Sequence, residues 1–81
     1  MTSQHERDLL ARIVVEQGKM GGKPLIRGRR ITPAMVLKMM ADGATRKQVL
    51  EAYPALEEAD IDACLLYAAH LTDHAEADGA E

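Results

Sequence analysis

Apolar positions recur along this chain at two spacings, and each predicts a different kind of element. In the first third the apolar runs are short and β-branched. Leu9 and Leu10 close a short helical turn that begins near Ser3. The run Arg12-Ile13-Val14-Val15-Glu16 suits a strand better than a helix. Leu25-Ile26-Arg27 reads as a second short strand, Gly28 breaks it, and Arg30-Ile31 resumes an extended path. The stretch QGKMGGKP lies between the two strands. It excludes regular structure, because Gly18, Gly21 and Gly22 permit positive φ while Pro24 fixes its own. Residues 12–31 therefore sum to an irregular hairpin or arm.

From Thr32 onward the spacing becomes helical. Thr32-Pro33 is a helix start, with Thr as N-cap and Pro at the first helical position. Met35, Val36, Met39 and Met40 then recur on one side, and Gly43 ends the helix. Thr45-Arg46-Lys47-Gln48 has the form of a capping box, Val49, Leu50 and Tyr53 supply the next apolar face, and Pro54 stops it. Glu57, Glu58 and Asp60 then suit the N-terminal dipole of a third helix, whose core stripe is Ile61, Cys64, Leu65, Ala68 and Leu71. The predicted helices cover about 33–42, 46–52 and 57–71. The fold class expected is mainly α: a short N-terminal β-hairpin or arm followed by a three-helix, helix-turn-helix-like bundle. Residues 9–72 form one domain, preceded by a flexible segment, 1–8, and followed by a disordered acidic tail, 73–81.

The third helix is apolar nearly all round between Ala63 and Ala69. A helix apolar on every side is normally covered on every side. Two helices and a hairpin cover one stripe, so Leu66 and Tyr67 are expected to face outward as a homodimer interface. Size points the same way, because a chain of 81 residues buries a marginal core and usually gains stability from disulfides, metal or a partner. One cysteine excludes an internal disulfide, and no Cys/His cluster has zinc-ligand spacing. No segment reads as a membrane span or signal peptide, so a cytoplasmic location is expected.

Charge changes the picture further. The net charge of −3 conceals ten Lys and Arg against four acids in residues 1–47, about +6, and nine acids with no Lys or Arg thereafter, about −9. The basic part offers a surface for something acidic, or for the acidic part of a second subunit. With no Trp or Phe and two Tyr, base-stacking on single-stranded nucleic acid is not expected.

No catalytic constellation emerges. GKMGGKP fails as a nucleotide-phosphate loop: three residues, not four, separate Gly18 from Gly22, and Pro24 replaces the metal-binding Ser or Thr. His70 and His74 stand one turn apart but lack a third ligand. Cys64 lies on a core stripe and reads as an inert thiol. Glu57, Glu58, Asp60 and Asp62 crowd one helix entrance, where they read as solvated. No enzyme activity, metal or cofactor is expected.

Binding remains. In a helix-turn-helix bundle the third helix enters the major groove by its N-terminal residues. Here those residues are acids, which repel phosphates. Partner contacts, to protein or DNA, therefore fall to Lys19, Lys23, Arg27, Arg29, Arg30, Arg46 and Lys47. Gly21, Gly22, Pro24, Gly28, Gly43 and Pro54 shape the chain around them.

The strings GKMGGKPLIRGRRI and ADGATRKQVLEAYPALEEADIDACLLYAA resemble the bacterial and archaeal domain-of-unknown-function 433 family. Gly21, Gly22, Pro24, Ile26, Gly28, Arg30, Ile31, Gly43, Tyr53, Pro54, Leu56, Ile61 and Tyr67 fall on its pattern, from about Ile13 to Leu71. Arg29 stands where the family usually has Thr or Ser. The resemblance implies a homeodomain-like fold and a VapB-like type II antitoxin that silences a PIN-like ribonuclease and autoregulates its operon. In that setting Arg27, Arg29 and Arg30 would pair with the nuclease's metal-binding carboxylates. The alternatives are a DNA-binding regulator acting on operator DNA without a toxin partner, and a dimerisation module.

Overall fold

The computed structural model describes residues 3–16, 18 and 20–79; Lys19 and the end of the acidic tail lie outside them. Among the described residues the protein is mainly α. Four helices, α1 (Gln4–Leu10), α2 (Pro33–Ala41), α3 (Arg46–Ala52) and α4 (Glu58–Gly79), join a two-stranded antiparallel hairpin, β1 (Ile13–Val15) with β2 (Pro24–Ile26). Ile13 pairs with Ile26, Val14 with Leu25 and Val15 with Pro24. A 3₁₀ turn at Met20–Gly22 lies within the glycine-rich connection.

Each of the first three helices begins on a hydroxyl that satisfies an orphan N–H. The Glu6 N–H donates to Ser3 Oγ at 3.1 Å, the Met35 N–H to Thr32 Oγ1 at 3.2 Å and the Gln48 N–H to Thr45 Oγ1 at 3.1 Å. In the boxes at Ser3 and Thr45 the third residue's side chain accepts from the cap's own N–H in return, at 3.2 and 2.8 Å. Helix α2 stops in a Schellman arrangement: the Ala44 N–H reaches the Met39 carbonyl and the Gly43 N–H the Met40 carbonyl, each at 3.0 Å. Gly43 holds φ +103° there, which a Cβ disfavours.

Two boundaries differ from the sequence expectation. Residues 4–10, read mostly as a flexible segment, form α1, which caps on Ser3 and packs against α4. The last helix does not stop near Leu71 but continues to Gly79. Between those two positions the chain has neither Gly nor Pro, and its alanines are strong helix formers, so nothing local ends the helix.

The core lies where the hairpin, α2, α3 and the first turns of α4 meet. Ile26, Val36, Val49, Leu56, Ile61 and Cys64 form one buried cluster. Leu25, on the other face of β2, is fully buried as well. The expected stripe on α4 holds for Ile61 and Cys64 only, since Leu65 and Leu71 remain 39% and 56% exposed. Length explains the difference. At about 1.5 Å per residue the 22-residue α4 spans roughly 33 Å, and the seven- to nine-residue helices beside it are too short to cover it. Leu66 and Tyr67, expected to face outward, are half-buried. Among the described residues no helix is long and apolar enough to cross a membrane.

Candidate functional site

The basic segment leaves β2 through a tight reversal. The Arg29 N–H donates to the Ile26 carbonyl at 2.9 Å, closing a turn whose central residues, Arg27 and Gly28, have φ +51° and +73°. Two successive positive φ values mark a type I′ turn, in which Asn-Gly is the usual pair. Gly28 fits for the usual reason. Arg27 is the one non-glycine residue with positive φ among the described residues, at a position that costs an L-residue about 1–2 kcal/mol. The Ile26 N–H then donates to the Ile31 carbonyl at 2.9 Å, so residues 27–30 form a short loop clamped at both ends.

The Arg27 side chain supplies the compensation. Its Nε donates to Asp60 Oδ1 at 3.0 Å and one terminal nitrogen to Asp60 Oδ2 at 2.8 Å, a two-point pairing with one carboxylate. The same terminal nitrogen reaches the Ala55 carbonyl at 2.7 Å. Arg12 approaches from the turn that precedes β1, bonding Asp60 Oδ1 and Glu57 Oε1 at 2.9 Å each. The strand register explains the meeting: Ile13 opposite Ile26 brings their outer neighbours Arg12 and Arg27 to one end of the hairpin, where the Arg27 N–H donates to the Arg12 carbonyl at 2.6 Å.

Asp60 is fully buried and lies in the first turn of α4, where it also accepts from the Glu57 N–H at 2.8 Å. Burial pushes this carboxyl up, but Arg27, the Glu57 N–H and Arg12 together outweigh it and hold it below its ordinary value. The expectation of a solvated acidic cluster is therefore corrected at Asp60. On the other side of the helix, Arg46 of α3 bonds Glu58 at 3.0 Å and Asp62 at 2.5 Å. The four acids at this helix entrance are thus bound by three arginines, from just before β1, from the turn and from α3. Even so, Glu57 and Glu58 keep side chains 62% and 64% exposed, so the outer surface stays acidic.

The residues singled out from the sequence divide accordingly. Arg27 and Arg46 are engaged in ion pairs with acids of α4. Arg29 and Arg30 are exposed on the turn, Lys23 just before β2 and Lys47 on α3. Lys19 lies outside the described residues. Gly21 and Gly22 are exposed in the connection, Pro24 opens β2, Gly43 ends α2 and Pro54 follows α3. Arg12 and Asp60 escaped sequence reading as a pair. The available signal was an acid three residues after a helix cap, together with arginines flanking both predicted strands. Cys64 is fully buried, and burial, with Asp60 nearby, pushes its thiol up to about 12. Among the described residues no group of three or more His, Cys, Asp or Glu is placed to hold a metal ion.

The comparisons with known proteins bear on this arrangement. A family model described as a protein of unknown function, DUF433, matches residues 13–68, from β1 to the middle of α4. The chain belongs to the DUF433 family. The matched stretch contains the turn, both hairpin strands and the Arg27–Asp60 pair, while Arg12 immediately precedes it. A crystal structure of a DUF433 member protein from Anabaena variabilis is similar to this chain at TM-score 0.73 and 27% identity, over 93% of this chain and 74% of that one. No curated protein matches. In this chain Arg29 and Arg30 lie on a turn whose base is fixed to α4.

Proposed function

We propose that the chain is an antitoxin-like binding protein that neutralises a PIN-like ribonuclease through Arg29 and Arg30. One observation carries this reading: the turn bearing these two exposed arginines is clamped at its base by Arg27 and Asp60. A contact loop held in one conformation loses little freedom on binding, so more of its contact energy appears as affinity. Guanidinium groups suit clustered carboxylates because they pair with them in a planar, two-point geometry. Metal-dependent nucleases of this class present such carboxylates. The acidic outer surface of the α4 entrance weighs against reading operator DNA with that helix. Autoregulation would fall to Arg29, Arg30 and Lys47.

The test is co-expression of the chain with the product of its neighbouring gene. The expected result is a stable complex in which the neighbour's ribonuclease activity is suppressed. A neighbour that lacks a nuclease-like acidic cluster contradicts the proposal. So does a chain that binds only its own promoter fragment, in a salt-sensitive manner; that outcome selects the DNA-binding regulator instead.

A further inference from the structure

We infer that Glu16, Glu57 and Glu58 are selectivity residues of the Arg29–Arg30 turn, ranking a compact cluster of protein carboxylates above nucleic acid as its partner. The inference rests on the proposed reading of that turn as a contact for carboxylates. Arg27 fixes the turn to the start of α4 through Asp60 and to the segment before it through the Ala55 carbonyl. Arg29 and Arg30 are therefore exposed at the same end of the molecule as Glu57 and Glu58. Both glutamates keep most of their side chains in water while each touches an arginine, Arg12 and Arg46 respectively. Glu16, just after β1, brings a further acid to the turn: its Oε1 lies 3.5 Å from the place a Cβ on Gly28 would take.

Charge at this end of the molecule cancels. Arg12, Arg27, Arg29, Arg30 and Arg46 stand against Glu16, Glu57, Glu58, Asp60 and Asp62, five of each sign. The exposed Lys47 on α3 stands one helical turn from Glu51, which offsets it. A duplex carries one negative charge per about 1.7 Å of axis and is held by cations that neutralise several phosphates at once. An end without net charge gives such a polyanion no long-range attraction, and a duplex laid across the turn brings further phosphates against Glu57 and Glu58. A carboxylate cluster on a protein is small enough to meet Arg29 and Arg30 alone. The guanidinium fork then acts at hydrogen-bond distance, where direction and two-point geometry count and net charge counts little. The glutamates thus disfavour nucleic acid more than they disfavour a compact acidic site.

The test is a titration of the full chain with a short random-sequence DNA duplex over a series of salt concentrations. Wild type should bind weakly. Glu57→Gln with Glu58→Gln should bind about tenfold tighter, with a steeper loss of affinity as salt rises, because two exposed charges that oppose phosphates are gone. Glutamine still accepts a hydrogen bond from Arg12 or Arg46, so the unfolding midpoint should stay near that of the wild type. Glu58→Gln alone, which leaves Arg46 its bond to Asp62, should show a smaller gain in the same direction. Adding Arg29→Glu and Arg30→Glu to the double variant should remove the gain. Asp42→Asn with Asp73→Asn, exposed acids at the C-cap of α2 and in the distal part of α4, should give no such gain despite the same change in net charge. Four results would each overturn the inference: a wild type as tight as the double variant, no gain in either glutamine variant, an equal gain from the Asp42 and Asp73 pair, or a gain that survives loss of Arg29 and Arg30. No nuclease is present, so failure on the duplex leaves the proposed function standing, and failure of the nuclease complex is read in a separate experiment.

Discussion

Asp60 shows how one side chain can carry several structural duties. It is a buried carboxylate that ends the hairpin's freedom, accepts the backbone N–H at the start of α4 and neutralises two arginines. Removing one partner of a buried ion pair typically costs about 3–5 kcal/mol. Arg12 and Arg27 keep side chains 29% and 28% exposed, so water compensates part of their loss. Asp60→Asn should therefore cost about 2–3 kcal/mol near neutral pH, somewhat below that range. The sign of the pH dependence follows from the lowered carboxyl value. The unfolded chain protonates near the ordinary 3.8, before the folded one does, so this stabilisation is present above that value and is lost as pH falls through the folded value. Denaturant titrations should show a clear gap between wild type and Asp60→Asn at pH 7 that closes in acid. A gap that is the same at both pH values would show that the carboxylate charge plays no part.

At the scale of elements, the turn at Arg27–Gly28 combines an unfavourable backbone with a favourable side chain. Both Arg27→Ala and Arg27→Gly remove the ion pair with Asp60, but only glycine accepts φ +51° freely. Arg27→Gly should therefore be the more stable of the two by about 1 kcal/mol, read as a difference in denaturation midpoint at constant slope. Equal stability would mean that the turn relaxes once the guanidinium is gone. This turn also marks the limit of what the sequence disclosed. Helices α2 and α3 were legible because Thr32-Pro33, Gly43, Thr45 and Pro54 are local signals that act within a few residues. The hairpin was legible from its β-branched runs and its glycines. The Arg12–Asp60–Arg27 cluster was not, because it joins positions 33 and 48 residues apart and no local pattern encodes such a meeting. The same holds for the end of α4. Alanines and acids after Leu71 read as a loose tail by composition, yet they favour helix by propensity.

For the whole molecule, the division of the basic residues is what matters. Arg12, Arg27 and Arg46 are used inside the chain, binding the hairpin and α3 to the acidic start of α4. Arg29 and Arg30 are left on the surface, on a turn which that internal network fixes. The sequence showed a basic segment beside an acidic helix entrance; the structure shows that part of the basic segment neutralises that entrance. Surface arginines on a clamped loop should matter to binding and hardly at all to folding, because surface substitutions away from special features usually change stability by less than about 0.5 kcal/mol. The most direct test is a binding titration of the Arg29→Glu, Arg30→Glu double variant against the product of the neighbouring gene, the proposed nuclease partner, with thermal unfolding followed in parallel. The account predicts an affinity loss of at least a hundredfold with an unfolding midpoint close to that of the wild type. An unchanged affinity would contradict it.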